Sequence, residues 1–267
     1  MAFWSSEWST GTKWLMSIVA TIVASIVTAL LITTGDRVFR RLSPPPSGQH
    51  SPTREATLVI QHVGKNDPRD EHFTSGYDLA LPQQQSQWRR ITLMPSQDPP
   101  SWRITNPVMG AVPYQYLLSD DALNDARTKG WRITLRTRLL GVIDPDGGIN
   151  ANFDTGVRRY DLNIVRAFPR LPGNTQLKVR LNNYVLGPTG LGTAGPETDP
   201  IDDNRLHQYV MMYDPASALA KVYVDEKERL EVRYEGHTYY TSGHARFLFG
   251  TSGAESTFEL VRFEVFK

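Results

Sequence analysis

The sequence predicts an all-β body carried behind one N-terminal transmembrane helix. Three observations predict it: an uncharged apolar run near the start, a Pro-rich stretch after it, and period-two alternation of apolar and polar residues from Ala56 onward.

The run Trp14–Thr34 reads WLMSIVATIVASIVTALLITT and contains no charged residue. At about 1.5 Å per residue, about twenty such residues match a hydrocarbon core of about 30 Å. A cleaved secretory leader needs a basic start, a shorter apolar stretch and a small-residue exit. Here the start, MAFWSSEWSTGTK, holds one Lys and one Glu, and Leu31-Ile32-Thr33-Thr34-Gly35 offers no such exit. Trp4, Trp8 and Trp14 suit an interfacial aromatic belt. Residues 1–35 are therefore expected to be a tail and a single-pass anchor in a membrane, the partner being the lipid bilayer. Arg37, Arg40 and Arg41 behind the run, against Lys13 before it, point the body toward the cytoplasm. A short N-terminal tail retained in the cytosol would instead export it, and the sequence leaves both orientations open. The chain has no Cys and no N-x-S/T sequon, which suits the inner or cell membrane of a bacterium or a cytosolic domain. With 29 basic and 28 acidic residues the net charge is +1, so the overall field gives no attraction to nucleic acid.

Residues 36–55 contain RRLSPPPSGQHSPTRE, where Pro44-Pro45-Pro46 favours extended geometry and nothing apolar calls for burial. This is expected to be a linker. Beyond it, short runs punctuated by Gly, Pro, Asn and Asp predict a series of strands, among them Ala56–Val63, Tyr77–Leu81, Trp131–Leu140, Val157–Val165, Gln208–Tyr213, Ala220–Val224 and Phe258–Phe266. In GWRITLRTRLL, Trp131, Ile133 and Leu135 alternate with Arg132, Thr134 and Arg136, so one face is buried and one wet. One helix is legible in SDDALNDARTKG: Ser119 caps it, Asp120 and Asp121 open it, Arg127 and Lys129 close it, and Gly130 ends it in the left-handed conformation. The Pro-rich MPSQDPPS separates residues 56–98, an accessory β segment or extra strands, from a sandwich over 99–267.

The stretch from Trp102 to the C-terminus resembles the concanavalin A-like lectin/glucanase superfamily, and within it the laminin-G-like jelly rolls. Four segments in order carry the resemblance: YQYLLSDDALNDARTKGWRITLRTRLL, FDTGVRRYDLNI, HQYVMMYDPASALAKVYVDEKERLEVRYEG and ARFLFGTSGAESTFELVRFEVF. Tyr213-Asp214-Pro215 and Val222-Tyr223-Val224-Asp225 match the superfamily's turns, while its usual Asp-Gly is replaced by Asp225-Glu226. The resemblance implies a two-sheet jelly-roll sandwich. It implies no one activity, because the superfamily includes sugar binders, protein binders and glycosidases.

Glycosidases place two carboxylates across a sugar. The E-x-D-x-E signature of the superfamily's glucanases is absent, as are a G-x-S-x-G elbow and an H-E-x-x-H zinc motif. No catalytic residue is therefore assigned. The oxygen-rich run Asp144, Asp146, Asn150, Asn152 and Asp154 is read as a β-turn with a capacity for Ca²⁺, which takes six to eight oxygens as a rule. Sugar recognition calls for exposed rings beside planar polar groups. Tyr184, Tyr239 and Tyr240 lie near loops, and His237 flanks the last two, so these four are the candidate ligand contacts. The expectation is a membrane-anchored, non-enzymatic module that meets a glycan or protein partner through a loop edge. A structural or sensor subunit facing the cytosol and a degenerate glycosidase stand as alternatives.

Overall fold

A computed structural model describes residues 54–75, 89–97, 99–110, 112–167, 176–181, 195–201, 205–239 and 241–267. The chain divides into two compact units, 1–49 and 50–267. The predicted anchor Trp14–Thr34, linker residues up to 53 and the predicted strand Tyr77–Leu81 lie outside the described residues. Among the described residues no helix is long and apolar enough to cross a membrane.

The strands are β1 (Ala56–Val63), β2 (Thr74–Ser75), β3 (Thr92–Gln97), β4 (Pro100–Asn106), β5 (Tyr114–Leu117), β6 (Trp131–Val142), β7 (Gly148–Thr155), β8 (Arg159–Arg166), β9 (Leu177–Leu181), β10 (His207–Asp214), β11 (Leu219–Val224), β12 (Lys227–Arg233), β13 (Ala245–Ser252) and β14 (Ala254–Phe266). They form two antiparallel sheets. The larger runs β12-β11-β10-β6-β14-β4-β3, and the smaller runs β2-β5-β13-β7-β8-β9. The long strand β14 holds β4 along Ala254–Phe258 and β1 along Leu260–Phe266 on one flank, and β6 along the other. Residues 56–63 and 92–97 thus hydrogen-bond into the larger sheet, as additional strands of the sandwich.

Alternation decides what each sheet turns inward. Trp131, Ile133 and Leu135 of β6 face Phe153, Tyr160 and Leu162 of the smaller sheet across one core. Trp131 is its hub: its ring lies 5.4 Å from Phe153, 5.5 Å from Tyr160 and 5.3 Å from Tyr213. A polar link crosses the same space, where the Trp102 indole N–H donates to the Tyr114 hydroxyl at 2.9 Å. Both ends of that bond are buried, which satisfies the two polar atoms these aromatics bring inside.

The predicted helix forms as α1 (Asp120–Lys129), with Ser119 Oγ accepting from the Ala122 N–H at 3.3 Å. Its end differs from expectation. Gly130 has φ 94° and ψ 179°, a positive-φ extended conformation rather than the left-handed helical one. The chain must leave α1 directly into β6, and a Cβ at Gly130 would lie 2.3 Å from the Tyr213 carbonyl. The β11–β12 turn explains the missing Asp-Gly. Asp225 (φ 49°) and Glu226 (φ 67°) both take positive φ, as a two-residue hairpin demands. The Asp225 carboxylate meets the Gln208 N–H at 2.9 Å and His207 Nδ1 at 2.7 Å.

The largest departure from the sequence reading is β7. Residues 148–155 read as part of a Gly/Asn/Asp turn, yet they form a strand between β13 and β8 in the interior of the smaller sheet. Only Asp144–Gly147 turns: the Gly147 N–H donates to the Asp144 carbonyl at 2.8 Å and the Asp146 N–H to Asp144 Oδ1 at 3.0 Å.

Candidate functional site

In β7, Ile149, Ala151 and Phe153 belong to the core, so Asn150, Asn152 and Asp154 point the other way. The neighbours continue this pattern. β8 turns Tyr160, Leu162 and Ile164 inward and Arg159, Asp161 and Asn163 outward; β13 turns Phe247 and Phe249 inward and Arg246 outward. Cross-strand pairing sets Asn152 beside Asp161, Asp154 beside Arg159 and Arg246, and Asn150 beside Asn163. The outer face of the smaller sheet is therefore a polar field over an apolar core.

Much of this field is shielded. Asn152 and Asp154 are 0 % exposed, Asp161 4 % and His237 5 %. His237 reaches this face because its backbone bridges Arg159, with both N–H···O bonds made. The Asp161 carboxylate is the centre of the network. Arg159 Nε donates to Oδ1 at 2.7 Å and His237 Nε2 lies 3.0 Å from Oδ2. With its amide nitrogen turned toward Asp161 Oδ1 (3.1 Å), Asn152 also accepts from Arg159 Nη2 at 2.6 Å. Burial alone would push the Asp161 carboxyl up, but the His237 hydrogen bond and the Arg159 charge outweigh it and hold the group below the ordinary carboxylate range.

A second knot adjoins the first. Asp154 Oδ1 accepts from the Gly156 N–H at 2.8 Å; its Oδ2 accepts from the Ser242 N–H at 3.0 Å, the Ser242 hydroxyl at 3.1 Å and Arg246 Nε at 3.3 Å. Arg246 Nη1 in turn donates to Gln115 Oε1 at 3.0 Å. At the far edge Glu197 takes both Lys178 and Arg180. Burial raises the Glu197 carboxyl, and the hydrogen bonds from these two cations more than reverse that, leaving it lowered.

The predicted ligand contacts divide. Tyr184 and Tyr240 lie outside the described residues. Tyr239 is half-buried and stacks on His237 with ring centres 6.5 Å apart. His237 is not a solvent-side turn residue but a buried member of the Asp161 network. The predicted metal set does not converge. Asp144 and Asp146 stay at the turn while Asn150, Asn152 and Asp154 climb the strand in steps of about 7 Å. A cation at Asp154 would also face the Arg246 guanidinium. Among the described residues no group of three or more His, Asp or Glu could hold a metal ion. Asp161, Arg159 and Arg246 were missed. The signal that could have found Arg159 and Asp161 is RRYDLNIV, whose alternation sets Arg159, Asp161 and Asn163 on one face.

Two acidic side chains do come together: Asp154 and Asp161 occupy diagonal positions on β7 and β8, about 7–8 Å apart by sheet geometry. A general acid must hold a proton at working pH, whereas the Asp161 carboxyl is held below the ordinary carboxylate range.

No family model matches the chain, and no curated protein is similar to it in sequence. Solved structures are similar in fold. The conserved carbohydrate esterase of the Shiga toxin-encoding bacteriophage phi24B superposes with a TM-score of 0.52 at 9 % identity, over 79 % of this chain and 100 % of that one. The two antiparallel sheets form a β-sandwich whose fold that structure shares. Further likenesses are to the Crh5 transglycosylase in complex with NAG (TM-score 0.47, 10 % identity, 84 % of this chain and 91 % of that one) and to the Emp47p carbohydrate recognition domain (0.42, 12 %, 82 % and 100 %). At such identities only the fold is shared.

Proposed function

We propose that the jelly roll is a non-enzymatic glycan-binding module, using the outer face of the smaller sheet and held at a membrane by the segment Trp14–Thr34. One observation carries the reading: a row of side-chain amides, hydroxyls and one aromatic ring lies on a face whose charges are already neutralised in place. Gln115, Asn150, Tyr239 and Ser242 are half-buried and reachable, and the buried Asp161 and Asp154 networks fix the backbone beneath them. Planar amides recognise adjacent sugar hydroxyls, and a ring packs on the apolar face of a pyranose. This moves the expected contact from a loop edge to a sheet face flanked by one loop.

Proton placement supports the non-enzymatic half of the reading. The Asp161 carboxyl, held below the ordinary carboxylate range by His237 and Arg159, is poorly placed to protonate a leaving oxygen. The test is a glycan array probed with the full chain in nanodiscs, paired with a reducing-end assay on every hit. Binding without new reducing ends is expected. Hydrolysis of a bound polysaccharide, or no binding to any glycan, would overturn the proposal. Protease protection of the same chain in sealed vesicles reports the side of the membrane that the body occupies.

A further inference from the structure

Beside the polar face, at the end of the sandwich where α1 meets the β7–β8 turn, lies a cleft of about 350 Å³ that is open to solvent and lined mainly by polar surface. One face of α1 forms one wall, since Asp120, Leu123 and Arg127 stand at i, i+3 and i+7. Thr155-Gly156-Val157 and Gly243-His244 form the other, with Leu117 at the edge. The walls are held in place. Arg127 Nη2 donates to the Thr155 carbonyl at 2.9 Å, which ties α1 to the turn, and Leu123 packs against the core. A Cβ at Gly156 would lie 3.1 Å from the Gly243 carbonyl, so the turn rests directly on the 243–244 segment.

Unpaired charge distinguishes this cleft from the sheet face. Over the smaller sheet Asp154, Asp161 and Glu197 are each taken up by arginine, lysine or histidine. In the cleft neither Asp120 nor Arg127 has an ion-pair partner among the described residues, and the Arg127 guanidinium bonds only the Thr155 carbonyl. Seven residues apart on one helix, the two are separated by about 10 Å along its axis, which keeps them from pairing with each other. The carboxylate can accept from sugar hydroxyls and the remaining guanidinium N–H groups can donate to them, while the two charges cancel. Val157 (66 % exposed) and Leu117 (58 %) are too open to enclose an apolar group, but they offer C–H surface to one side of a ring that stays half solvated. The cleft also continues the candidate site. Leu117 of β5 pairs with Arg246, which pairs with Asp154, and Ser242, bonded to Asp154, precedes Gly243 on the cleft wall. Gln115 lies two residues from Leu117 on the same strand face, about 7 Å away.

We propose that the cleft is a second sugar subsite that takes one uncharged pyranose unit, its hydroxyls between Asp120 and Arg127 and its C–H side on Val157, while the neighbouring unit lies over Gln115 and Ser242. This rests on the glycan reading above and names the ligand as a neutral oligosaccharide of at least two units. The volume sits at the lower end of the range for small-molecule sites, which suits one ring rather than a longer stretch. Opposite charges at the two ends of the wall set the neutrality, because a uronic acid would gain from Arg127 and lose to Asp120.

The experiment titrates the full chain, methyl-labelled at Leu and Val and held in nanodiscs, with methyl-capped oligosaccharides of one to four units of β-1,4-linked glucose, α-1,4-linked glucose and β-1,4-linked mannose, and with α-1,4-linked galacturonate of the same lengths. In one neutral series affinity should rise at least tenfold between one unit and three. Methyl signals of Val157 and Leu117 should shift together with the side-chain amide of Gln115. Asp120→Asn and Arg127→Gln should each cut the gain to less than threefold. The Asp120 carboxylate bonds nothing else in the described fold, so its variant keeps the test decisive if Arg127→Gln loosens α1 from the turn. Equal affinity at every length, or a tenfold preference for the galacturonate series, would refute this inference, while shifts at Gln115 would leave the glycan face standing. A gain with length that moves Gln115 but neither Val157 nor Leu117 would refute the cleft as its source. No response to any of these sugars would count against the glycan reading itself.

Discussion

Replacing Asp161 by Asn tests the network beneath the proposed binding face. The substitution keeps the shape and one acceptor oxygen but removes the charge that Arg159 and His237 share. Side-chain exposure is 6 % for Asp161, 2 % for His237 and 15 % for Arg159, so solvent replaces little of what is lost. Removing one partner of a buried ion pair costs about 3–5 kcal/mol. The low end, about 3 kcal/mol, applies because the amide oxygen still accepts from Arg159. Urea unfolding followed by tryptophan fluorescence, in which the buried Trp131 reports the core, should show a lower midpoint with an unchanged slope, by about 1–2 M for ordinary slopes. His237→Ala alone should cost a comparable amount, and the double variant should cost clearly less than the two losses summed. A loss under about 1 kcal/mol for Asp161→Asn, or strictly additive losses, would show that the two groups do not act as a unit and would refute the reasoning.

Other outcomes follow from the same geometry. Trp131→Ala empties the hub of the core and should cost about 3–5 kcal/mol in thermal or urea unfolding. Gly130→Ala should be among the most damaging single changes at a buried turn, since its Cβ would collide with the Tyr213 carbonyl and its φ is positive; a stability within 0.5 kcal/mol of the parent, roughly the scatter of neutral surface changes, would contradict that. Glu226→Gly should be neutral or stabilising by up to about 1 kcal/mol, because Glu226 holds a φ that glycine adopts without strain. His62 is buried, and desolvation lowers its pKa despite the Glu71 carboxylate beside it. Its unfolded value is about 6.5, so the unfolded chain binds more protons just below that pH. Stability should hold above pH about 6.5 and fall as the pH drops from there toward the lowered folded pKa, a slope that His62→Gln should flatten in urea titrations at several pH values.

Sequence periodicity was enough for the strands whose outer face meets water. β6 alternates Trp131, Ile133 and Leu135 with Arg132, Thr134 and Arg136, and β1 keeps its predicted ends. Period two failed for β7, where the outward residues Asn150, Asn152 and Asp154 are the types that favour turns, and Gly147-Gly148 precede them. What makes that run a strand is tertiary: β13 and β8 supply its backbone partners, and Arg159, Arg246 and Ser242 satisfy its polar side chains. The candidate site was hidden for the same reason. Asp161 and His237 are 76 residues apart, and no local spacing announces that a bridge to Arg159 brings them together. Oxygen-rich composition was visible, but whether those oxygens meet a metal or a guanidinium depends on the neighbouring strand.

The claim on which the account depends is that sugar lies on the outer face of the smaller sheet and leaves intact. Side-chain amide and aromatic NMR signals of the full chain, followed while an array-selected oligosaccharide is added, address both halves in one sample. Shifts confined to Gln115, Asn150 and Tyr239, with the oligosaccharide unchanged after prolonged incubation, are the predicted result. Shifts centred on the outward residues of the larger sheet, such as Arg132 and Arg136, or the appearance of shorter sugars, would contradict it.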